Sequence, residues 1–169
     1  PVSGDRFVVS VHHNDRHLAL TPGRANECLM SVINNSAREV DGSVSVLIDG
    51  RSVKWVEGVG RLNPHFGANE DRAVALRFTA PRSSAQKAGN YRATISARSS
   101  VSDFGSGSDS INLLIEKFFR HELKVERSLR FNHIFGLVFR AARFNAKVGN
   151  QGNCPDSYDL MIEADADSK

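Results

Sequence analysis

Apolar and polar residues alternate along this chain in short runs, and each run ends in a turn. Phe7-Val8-Val9-Ser10-Val11 opens, the polar stretch His12-His13-Asn14-Asp15 follows, and Leu18-Ala19-Leu20 resumes. Alternation with period two is the mark of a half-buried strand. Thr21-Pro22-Gly23 ends this one, because proline fixes φ and removes a donor while glycine accepts the turn. Glu27 to Ile33 reads as the next strand, with Cys28, Met30 and Val32 on one side and Asn34-Asn35-Ser36 as its turn. Val44, Val46 and Ile48 alternate up to Asp49-Gly50, a hairpin signal. Val53-Lys54-Trp55-Val56 comes next; Val74, Leu76 and Phe78 run to Pro81; Tyr91, Ala93 and Ile95 share a face after Ala88-Gly89-Asn90. Ser99 to Ser110, rich in Gly and Ser, reads as a mobile loop, and Ile111 to Ile115 closes the series. These short strands within about 118 residues, spaced by turns and without a convincing helix, predict an all-β, antiparallel β-sandwich.

After Phe118 the pattern begins again. Leu123 and Val125 suit a first strand, and Phe144, Ala146 and Val148 alternate as Cys28, Met30 and Val32 do. Asn150-Gln151-Gly152-Asn153 takes the place of Asn34-Asn35-Ser36, and Tyr158, Leu160 and Ile162 alternate as Val44, Val46 and Ile48 do. A repeat distance of roughly 116 residues suits tandem sandwiches. The expected organisation is therefore a sandwich over 1–118 and an incomplete second β unit over 119–169. Strands of half a sandwich leave an apolar face and an open edge unsatisfied.

Composition adds little to that picture. Hydrophobic residues make up 40% and charged residues 24%, as in a globular domain. No run of about 18 apolar residues is present, so no helix is expected to span a membrane. The chain starts at Pro1 without a charged-then-apolar leader pattern, reads as a fragment or processed product, and leaves its compartment unassigned. Cys28 falls on the apolar positions and reads as a buried thiol; Cys154 sits in a turn. Charge is uneven. Lys117 to Lys147 holds eight basic residues and two acids, a balance of +6, whereas residues 150 to 169 hold one Lys and five acids, a balance of −4. Such a pair of blocks attracts an anionic partner or neutralises itself.

The succession Leu18-Ala19-Leu20-Thr21-Pro22-Gly23, Val32-Ile33-Asn34-Asn35-Ser36, Trp55, Leu62-Asn63-Pro64, Phe78-Thr79-Ala80-Pro81 and Ala88-Gly89-Asn90-Tyr91 resembles prokaryotic immunoglobulin-like domains. It is similar to the NEW-type domain associated with α-galactosidases and to the CARDB adhesion-related domain, over about residues 7 to 116 and weakly over 123 to 163. The resemblance implies an immunoglobulin-like sandwich acting as spacer, adhesion unit or interaction module, with no catalytic residue to carry over.

Candidate chemistry is sparse. His12, His13 and His17 cluster with Asp15, but a metal needs converging ligands, and adjacent strand residues point to opposite faces. Asp103 and Asp109 flank a Gly/Ser run without the spacing of a calcium loop. No nucleophile elbow, phosphate loop or zinc-protease helix motif occurs, so neither enzyme nor metal nor cofactor is expected. Leu129 to Phe144 is aromatic and basic; as a helix it would join Phe131, Ile134, Phe135, Val138 and Ala142 on one face, and as strands it would turn at Gly136, which β propensity favours. Nucleic acid is an unlikely partner, since no nucleic-acid motif accompanies the basic block. The expected function is a non-catalytic structural or protein–protein interaction module, part of a larger bacterial protein or assembly. Contacts are expected through Phe131, Ile134, Phe135, Phe139, Arg140, Arg143, Tyr158, Leu160 and Ile162, to a protein partner or a second copy. The alternative is a carbohydrate-binding or adhesion accessory domain of a cell-surface protein or glycoside hydrolase, which calls for an exposed Trp55 beside Tyr91 or Tyr158.

Overall fold

The computed structural model describes residues 7–11, 16–58, 64–101, 105–135 and 137–163. Its strands are β1 (Phe7–Val11), β2 (His17–Leu20), β3 (Asn26–Asn34), β4 (Val40–Ile48), β5 (Val56–Glu57), β6 (His65–Phe66), β7 (Asp71–Phe78), β8 (Gly89–Ser99), β9 (Ser106–Ile115), β10 (His121–Ile134) and β11 (Leu137–Asn150). β1 to β9 form two sheets, in the orders β1-β3-β7-β5 and β2-β9-β8-β4-β6, while β10 and β11 pair only with each other. The chain changes sheet at every step from β1 to β8, and β9 follows β8 within one sheet, which closes an immunoglobulin-like sandwich. One pair departs from the expected antiparallel pattern: β2 lies parallel to β9, with Leu20 opposite Ile115.

Period-two patterning sets which side chains meet between the sheets. β4 alternates buried and exposed residues along its whole length. Cys28, Met30 and Val32 of β3 join Leu76 and Phe78 of β7 in one core with Val44 and Val46 of β4, Ile95 of β8 and Leu113 of β9. Because the side-chain period is two, a slip of one residue would turn each of these faces out to water. The turn after β4 follows its sequence signal: Asp49 (φ 45°) and Gly50 (φ 76°) both have positive φ, and Ile48 and Arg51 exchange two backbone hydrogen bonds of 2.8 and 2.9 Å across them, as a two-residue hairpin turn requires. At Gly58 (φ +88°) a Cβ would lie 2.6 Å from the Ala75 carbonyl oxygen, so only glycine fits beside β7.

Two expectations are corrected. The Gly/Ser stretch before Ser110 is not all loop: Ser106 and Gly107 already pair with Arg98 and Ala97. A backbone ladder needs no apolar side chain where one face meets water, so composition alone misread these residues. Conversely, Tyr158, Leu160 and Ile162 alternate like a strand but adopt none, because no described strand lies beside them to complete a ladder. Cys28 and Cys154 are both buried and unbridged.

Candidate functional site: an open hairpin pinned to the sandwich

β10 and β11 pair over their full length, from His121 opposite Asn150 to Ile134 opposite Leu137. Fourteen-residue arms with strong alternation thus settle the 129–144 stretch as strand, with Phe135 (φ 49°) in the turn. Residues directly opposite share a face. Leu123 faces Val148, Val125 faces Ala146 and Arg127 faces Phe144, so one face of the hairpin base is apolar apart from Arg127. That arginine lays its guanidinium 5.9 Å from the centre of the Phe144 ring, a cation–π contact. The opposite face carries Glu122, Lys124, Glu126, Ser128, Asn145 and Lys147. The sandwich buries the apolar face of its own strands, but this face is open: Leu123, Val125, Leu129 and Phe144 are 54 to 61% exposed.

The hairpin base is fastened to the sandwich by the turn after β11. Asn153 is buried. Its Oδ1 accepts a hydrogen bond from the Phe118 backbone N–H (2.8 Å), and its Nδ2 donates to the Glu116 carbonyl (2.9 Å). Its backbone carbonyl accepts from the Ala88 N–H (3.1 Å), and its own N–H donates to the Phe118 carbonyl (3.2 Å). This one residue, by side chain and backbone together, thus ties the turn after β11 to the end of β9 and the start of β8. Gly152 sits so close that a Cβ there would be 2.6 Å from the Phe118 oxygen. The Arg82 guanidinium lies 5.5 Å from the Phe118 ring and covers the joint.

The two asparagine turns have one design. Asn34 ends β3 opposite Phe7, the first residue of β1; Asn150 ends β11 opposite His121, the first residue of β10. Asn34 Oδ1 accepts from the Ser36 N–H (3.1 Å) and Asn34 Nδ2 donates to the Arg38 carbonyl (2.8 Å). Asn150 Oδ1 accepts from the Gly152 N–H (2.8 Å) and Asn150 Nδ2 donates to the Cys154 carbonyl (2.8 Å). The partners stand two and four residues on in both. Only Asn34 has a further long-range partner, the Gly67 carbonyl (2.8 Å).

The residues singled out in the sequence are partly brought together. Tyr158 stands edge-on to His121 at the hairpin base, 5.7 Å between ring centres. Its hydroxyl is buried with no well-formed hydrogen bond among the described residues, and burial first, then Asp156 beside it, raises its pKa above the usual phenol value. Leu160 and Ile162 extend beyond it, 60% and 93% exposed, with Met161 between them at 84%. Arg143 pairs with Ser128 and so lies on the polar face. Phe135 projects from the tip. Phe131, Ile134, Phe139 and Arg140 are in strand, Phe131 opposite Arg140, while their side chains lie outside the described residues. Sequence reasoning took 129 to 163 as the partner-facing region without naming Leu129 or Phe144 singly, left out Leu123 and Val125 although their alternation was visible, and placed Asn153 in a turn without its role in the joint.

Other candidates converge less. Trp55 packs edge-on against Phe78, 6.5 Å between ring centres, and is half-buried against the core with Tyr91. Both border an open groove of about 470 Å³ with Asp49, Arg51 and Gln86. The Tyr91 hydroxyl is engaged by the Lys87 carbonyl (2.8 Å), and Asp49 accepts from the Arg92 N–H (2.9 Å). His12, His13, Asp15 and Asp103 lie outside the described residues; Asp109 forms an ion pair with Arg16 at 3.3 Å. No three His, Cys, Asp or Glu among the described residues are grouped to hold a metal, and no helix there is long and apolar enough to cross a membrane. His65 bridges Asp41 (3.0 Å) and Glu39 (3.3 Å); the hydrogen bond to Asp41, then that to Glu39, holds its pKa above the ordinary histidine value.

No protein-family model matches the chain, and no curated protein matches it. Solved structures of similar fold include the CARDB domain of a Pyrococcus furiosus protein in complex with di-metal ions, at 16% identity, covering 65% of this chain and 94% of that one with a TM-score of 0.43. The PapD-like domain 7 of human CEP192 is 12% identical, over 69% of this chain and 87% of that chain, with a TM-score of 0.40. The SrpA adhesin of Streptococcus sanguinis is 12% identical, over 65% and 57%, with a TM-score of 0.45. The likeness is one of fold class.

Proposed function

We propose that this chain is a non-catalytic structural and protein–protein interaction module, one part of a larger bacterial protein or multi-protein assembly. Residues 1–118 serve as a rigid sandwich, and residues 119–169 form an incomplete second unit that presents the contact surface. The observation that carries the reading is the contrast in burial. The sandwich packs Cys28, Met30, Val32 and Phe78 out of water, whereas Leu123, Val125, Leu129 and Phe144 lie open on a hairpin held rigidly at its base. Contiguous open apolar surface with a polar reverse face marks a binding site. The NEW-type and CARDB resemblances suit such a role.

The carbohydrate-binding or adhesion alternative draws on Trp55 and Tyr91 sharing a groove. It is weaker, because both rings are half-buried against the core and the Tyr91 hydroxyl is already engaged.

The test uses an apolar fluorescent dye, anilinonaphthalene sulfonate, at low protein concentration. The dye binds the native chain, and Leu123→Ser with Phe144→Ser removes most of the signal, while fluorescence of Trp55, the chain's one tryptophan, stays native. A dye signal unchanged by that pair of substitutions overturns the reading.

A further inference from the structure

We infer that β10, β11 and the segment Tyr158 to Glu163 are the opening strands of a second sandwich, and that a second copy of this chain completes it by exchanging those same strands. The inference rests on the interaction-module reading and names its partner.

Three observations lead there. First, the hairpin repeats the β1–β3 pair in register as well as in sequence. Cys28, Met30, Val32 and Asn34 are all buried, and Phe144, Ala146, Val148 and Asn150 stand 116 residues on from each in turn. Asn34 and Asn150 pair with the first residue of their partner strands and make the same turn. In the first unit the face of β3 is covered by the other sheet, and the strand that follows the Asn34 turn, β4, belongs to that covering sheet. By the same connectivity, Tyr158 to Glu163 crosses over the hairpin face. The Tyr158 ring against His121 is the start of that crossing.

Second, among the described residues the crossing segment has no strand to pair with. Leu160 and Ile162 stay exposed, and β10 and β11 each keep one unpaired edge in a two-stranded sheet. A second copy supplies what is lacking on both counts. Its hairpin offers a free edge on which the crossing segment adds as a strand, through main-chain hydrogen bonds, and its own segment returns the exchange. Each resulting sheet then holds the hairpin of one copy and the crossing strand of the other, and two such sheets close over one apolar layer. The exchange is two-fold symmetric, as self-complementary interfaces are.

Third, surface and charge agree. Leu123, Val125, Leu129, Phe144, Leu160 and Ile162 are 54 to 93% exposed; together they offer on the order of 700 Å² per copy, close to one side of a standard stable interface. Asp159 and Glu163, on the outer side of the crossing segment, meet Lys124, Arg143 and Lys147 on the polar face of the hairpin, a complementarity that fixes register between copies.

Light scattering of the 169-residue chain over a concentration series tests the assignment. The expected result is a two-fold rise in mass with concentration, with dye binding falling in step as the face is covered. Phe144→Ser and, separately, Ile162→Asp raise the dimer dissociation constant tenfold or more with Trp55 fluorescence unchanged; Asn145→Ser, on the polar face, leaves it within about two-fold. A monomer at every concentration that still binds dye through the hairpin overturns the second-copy assignment and leaves the interaction surface standing. A monomer whose dye binding ignores Phe144→Ser overturns both.

Discussion

Asn34 and Asn150 make the same turn at the end of equivalent strands, yet one is sealed and the other open. Asn34 is fully buried, and its amide also donates to Gly67 in the loop between β6 and β7. Among the described residues, Asn150 keeps only its local side-chain partners at i+2 and i+4. The local motif therefore forms without a covering sheet, beside an Asn153 that is tied to the first sandwich. What the completed sandwich adds is the second, long-range hydrogen bond and the exclusion of water. The hairpin has its register and turn in place, and no other strand joins or covers it among the described residues.

The largest expected effect comes from truncating one phenylalanine in each region. Phe66 is fully buried in the sandwich, and Phe66→Ala is expected to cost about 3–5 kcal/mol in chemical denaturation followed by Trp55 fluorescence. Phe144→Ala, on the open face, is expected to stay within about 0.5 kcal/mol for the monomer. A cost at Phe144 matching that at Phe66 would mean the face is covered within one chain.

The asparagines themselves come next. Asn34→Ala empties a fully buried site and removes the hydrogen bonds to the Arg38 and Gly67 carbonyls, and is expected to cost about 2–3 kcal/mol. Asn150→Ala, at an exposed position, removes two local hydrogen bonds to Gly152 and Cys154, and is expected to cost about 1 kcal/mol. Equal losses in thermal unfolding would contradict the contrast drawn between the turns.

That contrast also explains what could be read from the sequence. Strand positions, the Asp49-Gly50 turn, the burial of Met30 and Val32 and the repeat of the asparagine turn all depend on neighbours a few residues apart, and local patterning carries them. The extension of β9 back to Ser106 depends on β8 lying beside it, which Gly and Ser composition cannot announce. Tyr158 to Ile162 shows the converse: a strand pattern stays unpaired until another strand arrives. The role of Asn153 was invisible because its four hydrogen bonds to Glu116, Phe118 and Ala88 join segments distant in sequence. Trp55 is half-buried against the core, since a lone indole in a β-rich chain finds most of its stabilisation in apolar packing.

Asn153 supplies a smaller, local prediction. Removing its side chain leaves the Phe118 N–H and Glu116 carbonyl without their partners, a loss of about 1–3 kcal/mol confined to the joint. Asn153→Ala is expected to speed amide hydrogen exchange at Phe118 and Ala88 while leaving the exchange of β3 and β8 core amides as it was. Slowed or unchanged exchange at Phe118 would show that the hairpin is fastened by other contacts, with Arg82 over Phe118 the next to test.

The smallest effect separates the two turns by pH. Glu70 accepts the Gly67 backbone N–H and, through its other oxygen, the Arg72 Nε–H (2.9 Å). The Gly67 hydrogen bond first, then Arg72, holds its carboxyl below the ordinary glutamate pKa of 4.5. A carboxylate with a depressed folded-state pKa stabilises the fold above its unfolded pKa, and that contribution is lost as pH falls through the lower, folded value. Because Gly67 also accepts from Asn34, protonating Glu70 loosens the loop that seals the Asn34 turn. The Asn150 turn has no such loop among the described residues. Below pH 4.5, the amide proton shifts of Gly67 and Ser36 are therefore expected to titrate together, with a midpoint below that of free glutamate, while Gly152 does not follow them. Glu70→Gln should abolish the shared titration. A Gly152 amide that moved with the other two would show that acid acts on the asparagine turn itself rather than on the sandwich around it.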